Sequence, residues 1–75
     1  MMKQELHTQL RNAREERKLS LDELALRTRI GASHLAAFES GEELPDVQKI
    51  LILSNTLDVP ASNLLEALEA RKAKK

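Results

Sequence analysis

The stretch Ile30-Gly31-Ala32-Ser33-His34-Leu35-Ala36-Ala37-Phe38-Glu39-Ser40-Gly41 decides the fold. Leu35 and Phe38 stand three residues apart, the spacing of one helical face. The opposite face carries only Ala, Ser and His, so it is small and almost uncharged. Gly41 suits a left-handed helix stop. The pattern predicts a short helix over about residues 32–40, with one face to bury and a plain one to present.

Working back from that helix, Ser20 and Glu23 have capping-box spacing and open a second helix that ends near Thr28. Leu21, Leu24 and Ala25 form its apolar side. Two short helices joined by so few residues cannot lie antiparallel and share a core. They cross steeply, as in a helix-turn-helix. Small Ala25 admits the close approach, and Ile30, Leu35 and Phe38 fill the angle between the two.

Further out, Leu6, Leu10 and Ala13 predict a first helix from about Lys3 to Arg17. Asp46 caps a fourth helix, where Val47, Ile50, Leu51, Leu53, Ser54 and Leu57 imply burial over much of its girth. Asp58-Val59-Pro60 ends it. Pro60 suits the first turn of a fifth helix carrying Leu64, Leu65 and Leu68. The chain therefore reads as all-α and as one domain over residues 1–75, with a core over about 6–68 and a basic tail at 69–75.

Composition narrows the function. Seventy-five residues bury only a small core. Cysteine is absent, which excludes disulfides and thiolate zinc sites and fits a cytoplasmic location. His7 and His34 lack ligand spacing, so neither a metal nor a cofactor is expected. No apolar run is long enough to span a bilayer. No nucleophile with its base, no catalytic carboxylate pair and no phosphate loop is present, so an enzyme is not expected.

Twelve basic and twelve acidic residues leave the chain neutral. Neutrality weakens non-specific attraction to nucleic acid but leaves room for a locally basic face. Charge is in fact uneven. Residues 1–20 carry Lys3, Arg11, Arg14, Arg17 and Lys18 against three acids. Residues 42–66 carry Glu42, Glu43, Asp46, Asp58 and Glu66 against Lys49 alone.

Leu10 and Arg14, Leu19-Ser20, Leu24-Ala25, Ile30, Ser33, Leu35, Phe38-Glu39-Ser40-Gly41, Pro45, Leu57-Asp58-Val59 and Leu64-Leu65 together resemble the phage-repressor/Cro-like (Xre) helix-turn-helix family. The resemblance implies a five-helix, lambda-repressor-like fold whose third helix enters the DNA major groove. It implies a sequence-specific DNA-binding transcriptional regulator with double-stranded DNA as partner, commonly a dimer on a palindromic operator. It also implies an ion pair between Arg14 and Glu39 that clamps the third helix to the first.

In that geometry Ala32, Ser33, Ala36, Ala37 and Ser40 are the base-facing candidates. Ala packs on a thymine methyl and Ser bonds a base edge. Lys18, Ser20, Arg27, Arg29 and His34 are the phosphate candidates, aided by backbone N–H groups at the starts of helices 2 and 3. Leu64, Leu65 and Leu68 have two readings, a homodimer seam or ordinary packing against helices 1 and 4.

Three features depart from the family pattern. Leu21 stands where a polar phosphate contact is common. Thr28-Arg29 replace an apolar residue and the turn glycine. Glu42-Glu43 replace typically basic residues, and acid there repels phosphate. The Thr28-Arg29-Ile30 turn and Leu19-Ser20-Leu21 are also similar to the helix-turn-helix of rod-shape-determining membrane adaptors, where the fold binds a protein filament. The alternative function is therefore a protein-interaction module on the same fold.

Overall fold

A computed structural model describes residues 5–73. Five helices follow one another: α1 (Leu6–Glu16), α2 (Leu21–Thr28), α3 (Ala32–Ser40), α4 (Val47–Leu57) and α5 (Ala61–Ala73). The expected start of the first helix at Lys3 and the end of the basic tail, Lys74 and Lys75, lie outside the described residues. No helix among the described residues is long and apolar enough to cross a membrane.

Each boundary has a local cause. Ser20 Oγ accepts from the Glu23 amide at 3.0 Å, and the Glu23 carboxylate accepts from the Ser20 amide at 3.0 Å, which completes the capping box of α2. Asp46 Oδ1 accepts from the Lys49 amide at 2.8 Å and starts α4. That amide bond holds the Asp46 carboxyl below its ordinary range. The cap is therefore fully formed at neutral pH and is lost as acid protonates it. Gly41, at φ 86°, closes α3 in the left-handed region. Pro60 stands one residue ahead of α5 rather than in its first turn, and its carbonyl accepts from the Asn63 amide at 3.1 Å.

The packing positions α3 between two supports. It lies against α1 on one side and α2 on the other, while α4 and α5 close the far side of the core. Leu24, Leu35, Phe38, Ile50, Leu53, Leu57, Leu64 and Leu68 are fully buried. Each contributes on the order of 1.5–3 kcal/mol of transfer free energy. Ala25 is half-buried against this cluster, as its small size at the α2–α3 crossing predicts.

Two expectations change. Leu64 and Leu68 lie inside the core at 1 % and 0 % exposure, and only Leu65 of that trio is partly accessible. Ordinary packing, not a homodimer seam, accounts for them. The fourth helix is also less enclosed than its composition suggests. Ile50, Leu53, Ser54 and Leu57 are buried, but Val47, Leu51 and Ile52 remain 40–48 % exposed. These three fall outside the stripe that the 3.6-residue period turns toward the core.

Candidate nucleic-acid interface

The orientation of α3 is set by one guanidinium. Arg14 on α1 donates from Nε to Glu39 Oε2 at 2.7 Å and from Nη2 to Glu39 Oε1 at 3.0 Å. Its third arm, Nη1, donates to the Leu19 carbonyl at 2.7 Å. Both side chains are nearly buried, so the pair is bidentate and poorly screened. The hydrogen bond to Glu39 makes Arg14 hold its proton more tightly than an ordinary arginine. A single residue thus ties α1, the α1–α2 loop and the last turn of α3 together.

With α3 so fixed, its outer face is the plain one read from the sequence. Ser33, Ala36 and Ser40 are exposed, while Ala32 and Ala37 are half-buried. Gly31 occupies the N-cap and supplies no side-chain acceptor, so the amides of the first turn have no side-chain cap. Ser40 Oγ is engaged, donating to the Ala37 carbonyl at 3.1 Å and lying 3.2 Å from Glu42 Oε1.

The described cations divide into two groups. Arg11, Arg14, Arg17, Lys49 and Arg71 are each paired with a carboxylate. Arg17 also donates to the Leu57 carbonyl at 2.7 Å, and Arg71 to the Gly41 carbonyl at 3.1 Å, so these two staple the helix ends. Lys18, Arg27, Arg29 and Lys72 are exposed and have no anionic partner among the described residues. Three of these four are phosphate candidates from the sequence.

Lys18 and Arg29 share a further property. Both hold left-handed backbone, at φ 57° and 60°. A non-glycine residue there costs roughly 1–2 kcal/mol. Arg29 is the C-cap of α2, where the related pattern has glycine, and its left-handed backbone places a cation just ahead of α3. Arg29 and Gly31 border the same shallow hollow, with Asp22, Ala25, Leu26 and Ile30.

The remaining phosphate candidates are partly occupied. The Ser20 amide and hydroxyl oxygen both serve the capping box. His34 is bonded to the acidic loop, with Nδ1 lying 3.1 and 3.0 Å from the two oxygens of Glu43. Glu42 and Glu43 therefore turn their carboxylates onto Ser40 and His34.

Several contributing residues carry no clear signal in the sequence. Thr28 departs from an apolar pattern yet is buried, because its hydroxyl donates to the Leu24 carbonyl at 2.7 Å and accepts from the Ile30 amide at 3.2 Å. It supplies the turn with a bond that an apolar residue lacks. The Glu43–His34 contact depends on the path of the loop, which no spacing rule encodes. Leu26 is 81 % exposed on α2, beside the hollow that Arg29 and Gly31 border.

This geometry, with α2 and α3 packed together across the short turn of residues 29–31 and α3 bonded to α1 through Arg14 and Glu39, defines a helix-turn-helix unit. A family model described as a helix-turn-helix domain matches residues 8–68, and the chain belongs to that family. The five-helix, all-α fold is of the lambda-repressor-like, Cro/repressor kind. The chain is similar to a solved structure of SinR, the master regulator for biofilm formation, in complex with DNA. The two share 30% identity with a TM-score of 0.75, over 80% of this chain and 97% of that one. No curated protein matches the chain.

Proposed function

We propose that this protein is a sequence-specific, DNA-binding transcriptional regulator that lays α3 in the major groove and acts in the cytoplasm without enzymatic chemistry. The observation that carries the reading is the division of the cations. Those that hold the fold together are paired, and those beside α2 and α3 are kept available, two of them, Lys18 and Arg29, on left-handed backbone. Phosphate binding needs such cations, since it draws its affinity from counterion release. The similarity to SinR, solved in complex with DNA, supports the same partner.

In this reading Ser33, Ala36 and Ala37, with Ala32 and Ser40 at the margins, face base edges. Lys18, Arg27 and Arg29 grip phosphates, with Ser20 and the open amides of α3 adding weaker contacts. Specificity comes from small side chains that admit close approach and pack on thymine methyls.

A second reading is favoured by the exposed apolar side chains Leu26, Leu51 and Ile52, which suit a polypeptide partner. A homodimer matched to a two-fold operator would use Leu51 and Ile52 on α4, since Leu64 and Leu68 are committed to the core. Sedimentation checks this. Wild type is expected as a dimer and Leu51→Glu with Ile52→Glu as a monomer; equal mass in both removes α4 as the seam.

Selection of bound sequences from a random DNA pool tests the function itself. Enrichment of a defined motif is expected. Recovery of no motif at low salt overturns DNA as the partner.

A further inference from the structure

His34 lies in the first turn of α3, and Glu43 holds its ring by one nitrogen. Nδ1 faces the Glu43 carboxylate at 3.0 and 3.1 Å. Cδ2 lies 3.6 Å from where a Cβ on Gly31 would stand. The Phe38 ring sits at 6.5 Å between centroids, with the planes tilted by 36°. Nε2 has no partner among the described residues, and 59% of the side chain is exposed.

The proton can be placed from chemistry. An ionised carboxylate only accepts hydrogen bonds, so Nδ1 must carry the hydrogen. In a neutral imidazole the second nitrogen is then a bare acceptor. Glu43 thus fixes which tautomer His34 presents. A bare Nε2 has nothing to donate to a phosphate oxygen, which is itself an acceptor. It can accept from an N–H. In the major groove adenine N6 and cytosine N4 offer such a donor, whereas guanine O6 and N7 and thymine O4 are acceptors.

We propose that His34 reads an exocyclic amino group, of adenine or cytosine, through Nε2, and that Glu43 is the positioning residue that sets its tautomer. This rests on the DNA reading above and replaces the phosphate role expected for His34. It also gives the acidic loop a use. Glu43 weakens attraction to the backbone and in exchange confers discrimination at one base, because guanine or thymine there sets acceptor against acceptor.

The test is pool selection at a pH where nitrogen NMR shows the His34 ring to be neutral. It compares wild type with His34→Ala, Glu43→Ala and Glu43→Gln, each first shown to melt as a folded domain. Wild type is expected to enrich a motif with one position restricted to adenine or cytosine, by about tenfold over the other bases. His34→Ala and Glu43→Ala should lose that restriction while the rest of the motif survives. Glu43→Gln keeps an oxygen that accepts from Nδ1–H and should retain it. Both Glu43 variants should bind more tightly overall, which separates loss of charge from loss of positioning. Nitrogen NMR of wild type should show Nδ1 protonated and Nε2 bare. A motif unchanged in His34→Ala, or a bare Nδ1 in wild type, overturns the assignment but leaves DNA binding standing. No motif from any variant overturns DNA binding, and the assignment falls with it.

Discussion

The two ends of α3 are built on opposite electrostatic plans. At its start, Arg27 and Arg29 are exposed and unpaired among the described residues, and Arg29 holds left-handed backbone. At its end, Glu42 and Glu43 bring negative charge, but their carboxylates are occupied by Ser40 and His34. Cation is kept available while anion is kept bonded. A neutral chain can favour a polyanion in this way, because local availability rather than net charge sets the encounter. The contrast also divides the proposed work, with affinity arising from the available cations and selectivity from His34, which Glu43 holds.

The largest test of this contrast removes the clamp that sets both ends. Glu39→Ala leaves Arg14 nearly buried with only the Leu19 carbonyl as acceptor. Loss of about 3 kcal/mol of stability is expected, the lower end for breaking a buried pair. Denaturant titration reads it, and a loss under 1 kcal/mol would mean the helix is held by packing alone.

A smaller effect comes from inverting the rear. Glu42→Lys with Glu43→Lys should raise DNA affinity by roughly tenfold and steepen its dependence on salt. Binding isotherms at several salt concentrations read this. Unchanged affinity would place the α3–α4 loop away from the phosphates.

The smallest concerns the strain at the front. Arg29→Gly relieves the left-handed backbone and should raise stability by about 1 kcal/mol. The same change removes the proposed phosphate contact, so thermal melting and DNA affinity should move in opposite directions. A variant that gains stability and binds DNA as well as wild type would show that Arg29 has no part in binding.

The sequence showed most where the physics is local. Ser20 with Glu23, Asp46 and Gly41 are capping signals confined to a few residues, and each closes or opens its helix as read. The Arg14–Glu39 bond was reached through the family resemblance, and its two partners lie 25 residues apart. Periodicity fails where burial depends on which neighbours arrive. Leu64 and Leu68 were left between seam and core because their spacing fits both, and only the packing of α5 on α1 and α4 decides. Val47 and Leu51 are as apolar as Ile50, yet they sit on the flank of α4 that no helix covers. At the interface, the exposure of Arg27 and Arg29 was legible. The capture of His34 by Glu43 was not, since it depends on how residues 41–45 turn.

The central claim is tested most directly by the salt dependence of binding to a selected DNA duplex, comparing wild type with Arg27→Ala plus Arg29→Ala. Two lost phosphate contacts should shrink the slope of log affinity against log salt by about 1.8, with the melting temperature unchanged. An identical slope in both proteins would contradict the account, because the cations held available beside the recognition helix would then touch no phosphate.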